Sequence, residues 1–333
     1  MTQKQILVTG GAGFIGSNIV ARLVKDTGFE VVVCDRLRGA ETGKWRNLAK
    51  SPIQDFVDPD QIWTWLDRCQ GQVEAIIHLG AISSTSEPDA DKIIQNNFCL
   101  SRDLFRWCSQ HNCRLIYASS AATYGDGEAG FDDDDGLEAL KALRPLNAYG
   151  WSKALFDIFA VREVEAGRAP RQWAGLKFFN VYGPNEYHKG GMRSVVSHIY
   201  PSIAKGQGVQ LFRSHNPNYA DGGQMRDFIY VRDVADVVAW LLERPRVNGL
   251  YNLGTGQART FLDLAHATFK SAGQTPNVTF VDTPELIRDK YQYFTQANMQ
   301  RLRDAGYAKP FTSLEDGVAD YVGQFLSKPD PYL

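Results

Sequence analysis

QILVTGGAGFIGSNIV, from Gln5 to Val20, reads as a buried strand, a glycine loop and the first turns of a helix. Gln5–Thr9 is a short apolar run, and apolar residues recur with helical spacing from Ser17 to Lys25. Between them, Gly10, Gly13 and Gly16 permit a tight turn, close approach of the backbone to a pyrophosphate, and packing of the helix on the sheet. Free N–H groups at a helix start attract negative charge. The bland alternative is an ordinary glycine turn. With a strand before it and a helix after it, the loop from Gly10 through Phe14 and Ile15 to Gly16 is expected to hold a dinucleotide.

A second strand, Glu30 to Cys34, ends at Asp35, about twenty residues beyond the loop, where an acid grips the hydroxyls of an adenosine ribose. That favours NAD. Arg36, Arg38 and Lys44 follow, and cations there suit a 2'-phosphate, so NADP stays open beside NAD. Val73 to Leu79 is another buried run, followed by the small residues Gly80, Ala81 and Ser83, against which a cofactor can lie. His78 inside that run reads as a satisfied core histidine. Asn96 and Asn97 begin a helical stretch, and Arg114 to Ala118 is a further strand leading to Ser120 and Thr123. Strands alternating with helices predict a doubly wound parallel sheet of Rossmann type, with ligands at the carboxyl ends of its strands.

Tyr149 and Lys153 lie four apart in a helical pattern that opens at Pro145-Leu-Asn. That spacing puts both on one helix face, where an ammonium favours the phenolate and is expected to lower the tyrosine pKa. The pair alone is weak evidence for catalysis. After the strand Trp173 to Phe179 the alternation lapses, and a smaller, mostly C-terminal mixed α/β part for the substrate is expected to begin near Asn180. The expected division is residues 1–179 and 224–256 for the dinucleotide, and 180–223 and 257–333 for the substrate. Later strands at Arg226 and at Gly249 can return to the main sheet, and Asp233 reads as a helix N-cap. The Asp132–Asp135 run lacks the alternation of a calcium loop and reads as a solvated loop.

A net charge of −2 without a long basic run argues against nucleic acid and anionic membranes. No apolar run nears the roughly 20 residues of a membrane span, and no leader pattern opens the chain, so the expected location is cytoplasmic. Five cysteines without a Cys-x-x-Cys spacing suggest neither a disulfide framework nor a metal site.

Read together, Gly10-x-x-Gly13-x-x-Gly16, Ser120, Tyr149-x-x-x-Lys153, Asn180-Val-Tyr-Gly-Pro184 and Arg226-Asp227-Phe resemble the extended short-chain dehydrogenase/reductases that modify nucleotide sugars. TGGAGFIGSNIV from Thr9, YASSAATYG from Tyr117, NVYGPNEYHKGGM from Asn180 and YQYFTQA from Tyr291 look closer still to the ADP-glyceromanno-heptose 6-epimerases. The resemblance implies redox-neutral inversion at C6 of an ADP-heptose or related nucleotide sugar, with a bound and recycled NADP, NAD being the alternative. Tyr149 and Lys189 would be the two acid/base groups, Lys153 would hold the nicotinamide ribose, and Ser120 would bond the sugar oxygen. Lys189 needs desolvation or a neighbouring cation to reach a useful pKa; its other reading is a phosphate or hydroxyl contact. The cofactor contacts implied are Gly10, Gly13, Phe14, Ile15, Gly16, Asp35, Arg36, Lys44, Leu79, Gly80, Ala81, Ser83, Asn96 and Lys153. Asn180, Val181, His198, Arg226 and Tyr291 would contact the nucleotide sugar, and Phe212 would pack near the adenine. A homo-oligomer is expected. Pro59 stands near where relatives often carry a cofactor lysine, and Ser214–Gln224 is longer than usual. Other readings are a different nucleotide-sugar epimerase, dehydratase or reductase, or a cofactor-sensing protein without turnover.

Overall fold

In chain order the strands are β1 (Gln5–Thr9), β2 (Glu30–Cys34), β3 (Asp55–Val57), β4 (Val73–His78), β5 (Arg114–Ser120), β6 (Gln172–Phe178), β7 (Asn180–Tyr182), β8 (Val209–Phe212), β9 (Met225–Tyr230), β10 (Gly249–Leu253), β11 (Ala258–Thr260) and β12 (Val278–Val281). The computed structural model describes residues 4–26, 28–37, 43–85, 87–288 and 292–333. Seven strands form one parallel sheet in the order β10-β6-β5-β4-β1-β2-β3. The order reverses between β1 and β4, and their ends are level, with Thr9 paired to both Cys34 and His78. A crevice at the carboxyl ends is the geometric result of that reversal.

Side chains alternate across each strand, so β1 supplies two cores. Ile6 and Val8 share one with Ile19, Val20 and Leu23 of the helix Phe14–Asp26 and with Val234 and Val238 of the helix Val231–Glu243. Leu7 shares the other with Leu104 and Phe105 of the helix Leu100–Gln110 and Phe156 of the helix Ala148–Glu165. Burial on both faces explains why β1, β2 and β4 read as continuous apolar runs.

After β6 the chain leaves this sheet. Met225–Tyr230 pairs with β7 and β11 in a three-stranded sheet, and Gly249–Leu253 pairs with β6 in the large one. A third core gathers Tyr182, Val196, Leu211, Phe228, Phe269 and Tyr321. Two local expectations fail here. The helix Val231–Glu243 starts with Tyr230 at its cap, and the Asp233 carboxylate instead accepts hydrogen bonds from the Thr312 amide at 2.7 Å and hydroxyl at 3.0 Å. The acidic run is no free solvated loop: Asp133 is buried and accepts from the Asn252 amide at 2.8 Å, while Asp135 pairs with Arg301. No helix among the described residues is long and apolar enough to cross a membrane.

Candidate active site

A cleft of about 600 Å³ opens at the carboxyl ends of the large sheet and is bounded beyond it by β7 and by residues 188–195. Gly10 has φ +68, and a Cβ there would lie 2.7 Å from the Gly80 backbone nitrogen. A Cβ on Gly16 would lie 2.2 Å from the Gly10 carbonyl. The turns after β1 and β4 therefore lie flush, and the first turn of the helix Phe14–Asp26 lines the cleft. The Asp35 carboxylate is fixed at one end of the cradle by the Ala12 amide at 2.9 Å and pairs with the Lys44 ammonium at 2.6 Å. A bare backbone cradle at a helix start, with a carboxylate and an ammonium at the adenosine end, fits a nicotinamide dinucleotide.

The Tyr149 side is made of regular elements. Asn147 caps the helix Ala148–Glu165 by accepting the Gly150 amide at 2.8 Å. A Cβ at Gly150 would come within 2.6 Å of the Ala122 carbonyl, so glycine lets this helix press on the turn that follows β5. That contact brings the Ser120 hydroxyl within hydrogen-bonding reach of Tyr149. Lys153 is buried, and its ammonium donates to the Ala118 carbonyl at 2.8 Å. Burial lowers the Lys153 pKa to about 8, with Asp157 opposing the shift. The expected lowering of Tyr149 is not found. Desolvation raises its pKa, and the opposing influence is the Ser120 hydrogen bond. Below them His78 bridges Thr9 at 2.7 Å and Ser101 at 2.8 Å, and burial holds it neutral with a pKa of about 3.

The Lys189 side is irregular. Asn185 is buried with φ +72, a conformation asparagine tolerates better than most residues. Its side chain donates to Ser17 Oγ at 3.0 Å and accepts from the Leu333 amide at 3.0 Å. Glu186 is buried; its carboxylate accepts from the amide and hydroxyl of Ser194 and from Tyr321 at 3.0 Å. Lys189 follows in a turn broken at Gly190, with its ammonium 5.5 Å from the Phe14 ring centroid. Desolvation lowers the Lys189 pKa, and the Glu186 charge works against that shift. His188 beside it is held to about 4 by burial and then by the Lys44 and Lys189 cations.

The cleft thus gathers Gly10, Gly13, Phe14, Ile15, Gly16, Asp35, Lys44, Leu79, Gly80, Ala81, Ser83, Ser120, Tyr149, Lys153, Asn180, Val181 and Lys189. It does not gather five other expected residues. Arg36 pairs with Asp60, and Asn96 bonds the Lys92 carbonyl at 2.8 Å on the surface. There the buried neighbour Asn97 is turned inward, holding the backbone of Ile82 at 2.8 Å. His198 is exposed against the Gly191 carbonyl, Phe212 is partly exposed, and Arg226 stacks on Phe261, which itself lines the cleft. Tyr291 and Arg38 lie outside the described residues. Sequence reasoning missed Glu186, His188 and Phe261. The signal for the first two was the run Asn185–Lys189, where a histidine and a glutamate adjoin the lysine. Among the described residues no cluster of histidines, cysteines and acids is arranged to hold a metal.

The sequence profile of the NAD dependent epimerase/dehydratase family matches residues 6–254. The chain belongs to this family. Two relatives within the epimerase/dehydratase family, both named ADP-L-glycero-D-manno-heptose-6-epimerase, come from Nitratidesulfovibrio vulgaris (strain DP4) and Fusobacterium nucleatum subsp. nucleatum. They are 51% and 45% identical, each across 98% of this chain and 99% and 100% of their own lengths. Among solved structures, the enzyme of that name from Helicobacter pylori superposes with a TM-score of 0.79 at 28% identity, covering 97% of this chain and 96% of its own. The UDP-glucose 4-epimerase of Thermus thermophilus, solved with NAD, gives a TM-score of 0.74 at 27% identity over 96% and 98%. Both solved structures share the overall fold of this chain.

Proposed function

We propose that the protein inverts C6 of an ADP-glycero-manno-heptose through a transient 6-keto sugar. The observation that carries the reading is that two proton-handling side chains from separate elements, Tyr149 and Lys189, face one cleft beside a dinucleotide cradle. Inversion needs the sugar oxygen served in two orientations, whereas a dehydrogenase needs one acid/base group. The full-length relatives of that name, at 45% and 51% identity, support the same substrate.

A nicotinamide dinucleotide held by Gly10, Gly13, Gly16, Asp35, Lys44 and Lys153 would supply reversible hydride transfer at C6 of the sugar. One of Tyr149 and Lys189 removes the C6 hydroxyl proton as hydride leaves, and the other gives a proton to the oxygen when hydride returns. Ser120 bonds that oxygen and opposes the upward shift that burial imposes on the Tyr149 hydroxyl, and Lys153 would hold the ribose. Residues 1–179 and 224–256 serve the dinucleotide, and 180–223 and 257–333 the sugar nucleotide, with His198, Phe212, Arg226 and Tyr291 reached by its outer parts. NADP is the preferred cofactor, since the Lys44 ammonium beside Asp35 suits a 2'-phosphate. The enzyme works as a homo-oligomer in the cytoplasm.

Mass spectrometry of the nucleotide that copurifies should show NADP. Incubation with ADP-heptose and no added cofactor should interconvert the C6 epimers. Net consumption of NADPH would instead make the protein a reductase and end the epimerase reading.

A further inference from the structure

Behind the reaction residues, the Lys177 ammonium on β6 stands 2.7 Å from an Asp157 carboxylate oxygen on the helix Ala148–Glu165, and neither side chain is exposed. The carboxylate also accepts from the Ser119 hydroxyl at 2.7 Å and the Tyr117 hydroxyl at 3.1 Å. Lys177 donates in addition to Thr123 Oγ1 at 2.9 Å, and the Thr123 hydroxyl donates to the Ser120 carbonyl at 2.8 Å. The Tyr124 ring centroid lies 5.1 Å from the same ammonium. Each arm of this network ends beside the cleft: Ser119 adjoins Ser120, Thr123 holds the Ser120 carbonyl, and Asp157 follows Lys153 by one helical turn.

We propose that the buried Lys177–Asp157 pair is a positioning device for the reaction, fixing the backbone that carries Ser120 and placing a carboxylate one turn from the Lys153 ammonium. The inference rests on reading Tyr149 and Lys153 as the proton-handling pair. Stability alone accounts poorly for the arrangement, because a buried ion pair recovers little more than the cost of desolvating its two charges and apolar replacements are often as stable. Position accounts for it better. The groups that bear on Lys153 are Asp157 on its own helix and the neutral His78 at the end of β4; through Asp157 they include Tyr117 on β5 and Lys177 on β6. Among the influences on the Lys153 charge, Asp157 opposes the effect of burial.

The test compares Asp157→Asn with Lys177→Met and with the double variant Asp157→Asn/Lys177→Met. In Asp157→Asn the alkaline limb of the turnover profile should move to lower pH by about one unit, since Lys153 loses its anion. The NMR signal of the Lys153 ε-position, assigned with Lys153→Arg and followed against pH, should show the same movement with no substrate present. Lys177→Met keeps the carboxylate and should not move the limb downward. If Asp157→Asn cannot fold around an unpaired ammonium, the double variant carries the test and should fold and show the downward shift. Wild-type midpoints in Asp157→Asn or the double variant, or a double variant that also fails to fold, overturn the proposal. A wild-type protein that does not epimerise, yet whose Lys153 midpoint moves in Asp157→Asn, sinks the epimerase reading and leaves this one standing.

Discussion

Tyr149 stands on a capped eighteen-residue helix pressed against a strand end, whereas Lys189 stands in a six-residue turn that breaks at Gly190. Each side has a buried acid that opposes the lowering of a lysine pKa: Asp157 for Lys153, one turn beyond Tyr149, and Glu186 for Lys189. The difference lies in how each acid is held. Asp157 is locked within hydrogen bonds among the helix, β5 and β6, and Glu186 by a serine at the start of the next helix and a tyrosine near the end of the chain. One side is therefore preorganised by the sheet, and the other by contacts between distant segments. Inversion, which returns hydride to a sugar presenting its other face, asks for two such independent sides.

The comparison breaks first at Tyr149. Tyr149→Phe should retain cofactor and lower turnover by ~100-fold or more, the scale of losing a general acid/base. Near-wild-type rates would remove Tyr149 from the reaction. Lys189→Ala should slow net inversion by up to ~100-fold while one transfer of hydride to bound cofactor survives in a single-turnover experiment. If Lys189→Ala raises KM and spares kcat, Lys189 is a binding residue and the symmetry of the two sides is lost.

Glu186→Gln sharpens the contrast. The Glu186 charge opposes the lowering of the Lys189 pKa, so its removal lets that pKa fall further, and Lys189 loses its proton at lower pH than in the wild type. The alkaline limb of the inversion profile should move downward, with turnover at its optimum reduced by about tenfold. An unmoved limb would make Glu186 a loop anchor only. The smallest effect concerns the Tyr149 helix itself: Asn147→Ala removes the cap and should cost about 1 kcal/mol of stability in chemical denaturation. Because that side is braced by the sheet, turnover at 25 °C should hardly change; a large loss would show that the cap also sets the Tyr149 position.

Much of the first side was legible in the sequence. β1, the glycine loop and β6 follow from apolar runs and glycine spacing, and the i, i+4 relation of Tyr149 and Lys153 follows from helical geometry. The Tyr149 proton was not legible, because burial sets its pKa against the Ser120 hydrogen bond, and neither is visible in the i, i+4 spacing. Nor were the roles of Asp133, which reads as solvated within its acidic run, and of Asp233, which reads as a helix cap, until the distant amides of Asn252 and Thr312 are placed against them. Asn96 and Asn97 show the limit at its narrowest. The two are adjacent and chemically identical, and the winding of their helix decides which one turns inward.

The place of β10 bears on how the chain is assembled. β6 is separated from its outer partner by the segment that builds β7, β8 and β9, so β6 remains an edge strand until residue 253 has been synthesised. An open edge is a template for pairing with another chain, and domains form on the ribosome from the N-terminal side onward. The excursion that supplies Lys189 thus lengthens the interval in which the long, buried β6 stands as an unpaired edge of the nascent sheet, and arrival of Gly249–Leu253 pairs β6 and passes the edge to the shorter β10.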